Sequence, residues 1–248
     1  MSLSGLSGLS GLGLSGGAGA WSPADLPGLA AWYTAGPTWC FADAGATTPC
    51  GDGDPIYTWT DQSGNGYTLT QATLAYRPIL YDLGGGLWCA TFDGVDDEMT
   101  VSDAALAFAA PIVAGLAETP NGTAGTVGLF GNMGRWRISR SGANARFTKP
   151  GGYDATTAGV FFSDATPAVV TVQFAGPAYD PVFRLDGGAQ EAATGGSDVV
   201  ASGGQICLGS SGGAIFFPGD VAGVLLANAI PSAGDLSAAE NYLAALNP

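Results

Sequence analysis

From Trp21 onward, nearly every apolar run in this chain is cut short by a glycine, proline, asparagine or aspartate. Such runs suit strands of a few residues joined by turns, because glycine and proline are the residues a helix interior tolerates least. The runs are Tyr57–Thr60, Leu87–Phe92, Ile112–Leu116, Thr126–Phe130, Arg135–Ser139, Val160–Phe162, Val169–Phe174, Val182–Leu185, Gln205–Leu208, Ala214–Phe217 and Val221–Ala227. A further turn or helical start at Ser22–Leu29 leads into a strand at Ala30–Tyr33. With 41 glycines and 15 prolines in 248 residues, turn signals are frequent enough to separate them all. That pattern predicts an antiparallel β-sandwich and argues against a parallel α/β fold. One helix breaks it, at Ser237–Leu246, with Ser237 as cap, Glu240 in the capping-box position and Leu243 and Leu246 on one side.

Residues 2–20 follow a different rule. Ser-Gly-Leu repeats with a period of three, then dissolves into Gly-Gly-Ala-Gly-Ala before Trp21. A period of three fits neither a strand nor an α-helix, but in an extended, polyproline-II-like chain it puts every leucine on one side. The chain therefore divides into an arm, 1–20, and a domain, 21–248. Alone, the arm is a flexible linker. Its stripe of Leu3, Leu6, Leu9, Leu12 and Leu14 gives it a means of anchoring, since burying one leucine side chain contributes about 1.5–3 kcal/mol.

Charge and cysteine content exclude several classes of function. The formal net charge is −14, with Lys149 the single lysine and six arginines, so there is no basic footprint for nucleic acid or for an anionic membrane. The local cluster Arg135, Arg137, Arg140, Arg146 and Lys149 reads as an exposed strand face, with a local contact for an anionic ligand or partner as the alternative. Without histidine or a Cys-x-x-Cys pair, zinc binding and imidazole catalysis have no carriers. Cys40 and Cys50 bracket a short polar loop, where a disulfide would close under oxidising conditions. Cys89 and Cys207 lie in apolar runs and read as small buried hydrophobes. The first residues lack the basic start and continuous apolar core of a secretion signal, and no stretch is apolar for long enough to span a bilayer.

Three blocks together resemble the concanavalin A-like lectin/glucanase superfamily, especially its laminin-G-like domains found in tailed-phage structural proteins and bacterial surface proteins. The first is Leu26-Pro27-Gly28-Leu29-Ala30-Ala31-Trp32-Tyr33 with Trp59-Thr60-Asp61-Gln62-Ser63-Gly64-Asn65-Gly66. The second runs from Gln71-Ala72-Thr73 through Arg77-Pro78 to Phe92-Asp93-Gly94-Val95-Asp96-Asp97. The third joins Phe183-Arg184-Leu185-Asp186-Gly187, Ile206-Cys207-Leu208-Gly209, Phe217–Leu226 and Ala239–Ala244. The resemblance implies an all-β, two-sheet antiparallel jelly-roll sandwich, to which the residue patterns above add a short C-terminal helix and an extended N-terminal arm. Physically, Gly64 and Gly66 can supply positive-φ turn positions while Asp61 accepts backbone N–H groups. In the second block Phe92 and Val95 are expected to point inward while the aspartates hold the loop.

Function is weighed on the same residues. Glucanases of the superfamily use a Glu-x-Asp-x-(x)-Glu strand, and none of Glu98, Glu118, Glu191 and Glu240 stands in such a pattern, so the chain reads as a non-enzyme. The resemblance implies Ca²⁺ near the sandwich rim, with Asp61, Asp93, Asp96 and Asp97 as candidate ligands and Asp52 and Asp54 as a second acidic loop. Self-satisfied Asp-Gly turns are the competing reading. Trp39, Tyr57, Tyr67 and Tyr153 lie near loops and could stack on a sugar ring. The expectation is a virion structural protein, a capsid decoration or fibre-like component. Its arm would meet capsid or tail subunits or further copies of the chain, and its lectin-like domain would meet a surface glycan. A bacterial surface or extracellular adhesion module is the alternative.

Overall fold

The computed structural model describes residues 21–102, 113–120, 126–132, 136–141, 144–149, 153–157, 166–175, 180–192, 205–210 and 215–247. In chain order the strands are β1 (Leu29–Thr34), β2 (Cys40–Phe41), β3 (Thr58–Trp59), β4 (Leu69–Thr70), β5 (Ile79–Gly84), β6 (Leu87–Asp93), β7 (Met99–Ser102), β8 (Val113–Pro120) and β9 (Thr126–Asn132). They continue as β10 (Trp136–Ser141), β11 (Asn144–Lys149), β12 (Tyr153–Thr156), β13 (Ala168–Ala175), β14 (Asp180–Leu185), β15 (Glu191–Ala192), β16 (Gln205–Leu208) and β17 (Pro218–Ala227), followed by helix α1 (Ala233–Ala244). The arm, with Leu3, Leu6, Leu9, Leu12 and Leu14, lies outside the described residues, as does the expected strand Val160–Phe162.

The strands form two antiparallel sheets. One runs β15-β14-β13-β8-β17-β6-β5, with β1 also paired to β17; the other runs β12-β11-β10-β9-β16-β7-β4-β3-β2. Seven of the fifteen strand pairings join strands distant in sequence, and the chain alternates between sheets from β6 to β9, as in a jelly-roll sandwich. The fold class is the one the sequence predicts.

Between the sheets lies an aromatic-rich core. Tyr33 and Trp59 meet edge to face with ring centroids 6.1 Å apart, Phe92 and Phe217 pack at 6.5 Å, and Phe130 and Phe183 are fully buried beside them. Gly209, at φ 82°, makes room for this packing, because a Cβ there would sit 2.2 Å from the Phe92 ring.

Strand β17 shows why its sequence is apolar throughout. A register shift between Val221 and Gly223 leaves Val221, Val224 and Leu226 in the intersheet core, while Ala222, Leu225 and Ala227 face the other way. There they meet Leu236, Ala239 and Leu243 of α1, so a helix covers the outer face of the first sheet. Strands buried on both faces lose the polar alternation of a half-exposed sheet.

The helix begins earlier than the sequence reading places it. Ser232, not Ser237, is the cap: its Oγ accepts the Asp235 N–H at 3.2 Å and donates to the Asp235 carboxylate at 2.7 Å. Ser237 is therefore inside the helix, and Glu240 is a buried residue of the sheet-facing stripe Leu236, Ala239, Glu240, Leu243.

Candidate functional site

Asp61 is consumed by its own loop. Its Oδ1 accepts N–H groups from Trp32 at 2.9 Å and Ser63 at 2.8 Å, and its Oδ2 accepts the Ser63 hydroxyl at 2.7 Å and the Tyr67 N–H at 3.0 Å. A carboxylate offers about four lone-pair directions, and four donors use them. Asn65 ties the same loop to β1 by donating to the Leu29 and Ala30 carbonyls. Gly64 and Gly66 take the positive φ that this turn requires.

The remaining calcium candidates converge without Asp61. Among the described residues, Asp93, Asp96 and Asp97 each bring a carboxylate oxygen to within 4.8 Å of the others. Asp93 Oδ1 accepts the Val95 N–H at 2.7 Å and the Asp96 N–H at 3.2 Å, while Asp97 Oδ2 accepts the Asp93 N–H at 2.9 Å. Burial pushes the Asp97 carboxyl up to about 6; the Asp93 N–H opposes this, and the charges of Asp93 and Asp96 add to it. This oxygen-only set has the chemistry of a hard-cation site, but it supplies three side chains where calcium takes about six to eight ligands. Val95 does not point inward: it is 69% exposed at the tip of the turn. The other acidic loop is also self-bonded, Asp52 accepting the Asp82 N–H and Asp54 the Gly51 N–H.

The candidate aromatics do not form one platform. Trp39 is 36% exposed. Tyr57 is half-buried, with the Arg77 guanidinium 4.4 Å from its ring centroid, so one of its faces is taken. Tyr67 packs against the intersheet core, and its carbonyl accepts the Tyr33 hydroxyl. Tyr153 opens β12 opposite Lys149. Tyr76 and Tyr81 are both more exposed than Trp39.

The candidate disulfide pair lies together and unbonded. Cys40 and Cys50 face each other, with the Cys50 N–H donating to the Cys40 carbonyl at 2.9 Å, but both are free thiols, as are Cys89 and Cys207. All four are buried. Burial pushes the Cys40 thiol far up and takes Cys50 and Cys89 to about 11, so these three stay protonated near neutral pH.

A groove that the sequence reading does not identify lies between α1 and the turn after β14. Its volume is about 350 Å³, and Val169, Asp186, Gly187, Ser237, Glu240, Asn241 and Ala244 line it. Asp186 holds the left-handed conformation at φ 49°, fixed by accepting the Val169 N–H at 2.7 Å, and Gly187 follows at φ 67°. Arg184 supports the turn by donating to the Gly187 carbonyl at 2.7 Å, and its Nη2 lies 3.2 Å from Glu240 Oε2. Glu240 is only 4% exposed, and desolvation raises its carboxyl pKa against the opposing pull of Arg184. The signal in the sequence was a glutamate inside the apolar stripe of the helix.

No protein-family profile and no curated protein sequence matches the chain. Solved structures match in fold. Trypanosoma rangeli sialidase in complex with the inhibitor DANA aligns with a TM-score of 0.59 and 11% identity, over 89% of this chain and 34% of the sialidase. The same sialidase in complex with sialic acid gives 0.59 and 13% over the same shares. A structure of botulinum neurotoxin type C, whose cell entry depends on interaction with two ganglioside molecules, gives 0.54 and 10%, over 76% of this chain and 51% of that one. The chain thus spans about a third of the sialidase and half of the toxin chain. At such identities the likeness establishes the fold alone, an antiparallel β-sandwich. It also corrects the reading of the chain as a non-enzyme. The sialidases among these neighbours are enzymes, and sialidases stand outside the two-carboxylate rule on which that reading relied.

Proposed function

We propose that this chain is a carbohydrate-binding module, displayed on a virion by its N-terminal arm. The observation that carries the first part is the fold likeness, which reaches sandwich-containing chains crystallised with sialic acid or described by their interaction with gangliosides. A polar groove on the helix-covered face gives such a module a place for a ligand of small-molecule size. The virion part is supported by the sequence alone: the leucine-striped arm and the resemblance to domains of phage structural proteins.

The test is a glycan array probed with the full chain, carrying neutral, amino-sugar and sialylated glycans. Saturable binding to a defined subset supports the module; no binding to any class overturns it. For the location, the native protein should co-sediment with particles in density gradients. Recovery in a cell-surface fraction free of particles would replace the virion reading with that of an adhesion module.

A further inference from the structure

Resting on the carbohydrate-binding reading, we propose that the groove between the β14–β15 turn and α1 is the sugar subsite, and that it takes a neutral, hydroxyl-rich ring and rejects acidic sugars.

Four observations carry this. First, the groove is the right scale: about 350 Å³, at the lower end of the roughly 300–1,000 Å³ of small-molecule sites. Second, its polar lining is matched to vicinal hydroxyls, each of which both donates and accepts. Asp186 supplies an acceptor, whereas the Ser237 hydroxyl and the Asn241 amide both donate and accept.

Third, the groove wall is braced from within: the Glu240 carboxylate is buried, with both oxygens shielded from solvent, and Arg184 pairs with Oε2 at 3.2 Å. Fourth, the site is preformed. Asp186 is locked by the Val169 N–H and Gly187 by Arg184, so little ordering is left for the ligand to impose.

Electrostatics decides the sugar class. Two carboxylates line the groove, and the whole chain carries −14. Arg184 is already engaged by Glu240 and by the Gly187 carbonyl, so it is not free to receive a ligand carboxylate. A sialic acid would therefore meet like charge where a neutral hexose meets hydrogen-bond acceptors.

The experiment titrates the full chain with the best neutral glycan from the array and with its sialylated counterpart, by calorimetry, and repeats this for N241W, S237W and W39A. Ser237, Asn241 and Asp186 are exposed, so filling the groove from the helix leaves the core untouched. The expected result is that N241W and S237W each weaken neutral-glycan binding by at least about tenfold, W39A leaves it unchanged, and sialylation weakens it by about tenfold or more. Retention of affinity in both groove variants, or tighter binding of the sialylated glycan, overturns the subsite while leaving the module standing. Loss in W39A with retention in N241W moves the site to the Trp39 surface. Absence of binding by the unaltered chain to any glycan overturns both readings. Thermal melts of the two groove variants within a few degrees of the parent confirm that each reports on the groove and not on folding.

Discussion

Replacing Asp97 with asparagine removes a charge from the acidic turn while keeping an amide oxygen where the Asp93 N–H is accepted. In the native state the carboxyl titrates at about 6 against an ordinary 3.8, chiefly because it is buried. Between those two values the folded chain holds a proton that the unfolded chain has lost, so stability falls as pH rises through this window and the loss is complete above it. Two units at about 1.36 kcal/mol each set an upper limit of about 3 kcal/mol on what the charge costs at pH 7. D97N should therefore be more stable than the parent at pH 7, by about 1–3 kcal/mol after its new N–H₂ group finds water or a partner, and no more stable at pH 4. Urea unfolding of both proteins at pH 4, 5, 6 and 7, with and without calcium, reads the difference directly. A D97N variant less stable than the parent by the same amount at every pH would refute the reasoning. A calcium-dependent gain of several kcal/mol in the parent alone would show instead that an ion neutralises the turn.

Three shorter predictions follow from other parts of the molecule. G209A places a methyl group 2.2 Å from the Phe92 ring at a φ of 82°, and should destabilise the domain by about 2 kcal/mol or more in the same assay. Thiol titration of the freshly purified chain should give four reactive groups in denaturant and slow reaction in the native state near pH 7; a count of two would show that Cys40 and Cys50 are bonded. Removing residues 2–19 should leave a folded domain whose assembly with particles or with its own copies is lost, measured by light scattering and co-sedimentation; normal assembly of the truncated chain would reduce the arm to a linker.

The sandwich was legible because its strands carry strong local signals. Leu87–Phe92, Val169–Phe174 and Val221–Ala227 are rich in apolar residues, and the structure extends each by one or more residues. The strands that went unread lack that signal. β5 ends in Tyr-Asp-Leu-Gly at a sheet edge with Tyr81 and Leu83 exposed, and β11 reads Asn-Ala-Arg-Phe-Thr-Lys. Their extended form comes from the partner strand, β6 in one case and β10 in the other, which a linear pattern cannot display. The turns read better, since the Asp61 and Asp93 loops are held by contacts between residues that are mostly close in sequence.

The groove escaped for a related reason, and Glu240 shows it best. Read along the chain, a glutamate three residues after a serine is a capping box, and Ser237 with Glu240 satisfies that spacing. Ser232 and Asp235 satisfy the same spacing one turn and a half earlier, directly after Pro231, and the structure uses them. Once the helix starts there, position 240 falls on the stripe with Leu236, Ala239 and Leu243, and a charge is carried under the helix onto the sheet. Its partner Arg184 lies 56 residues away on β14, two residues before the Asp186 turn. A buried ion pair of this kind contributes little net stability, because desolvating both charges offsets most of their attraction. With both oxygens shielded from solvent, the carboxylate acts on the groove by holding Arg184, and through it the Gly187 turn, beside α1. E240Q keeps the shape and one acceptor while removing the charge that Arg184 faces, so this bracing role is expected to appear as lower stability in urea unfolding; weakened glycan affinity at unchanged stability would show instead that the carboxylate meets the ligand itself.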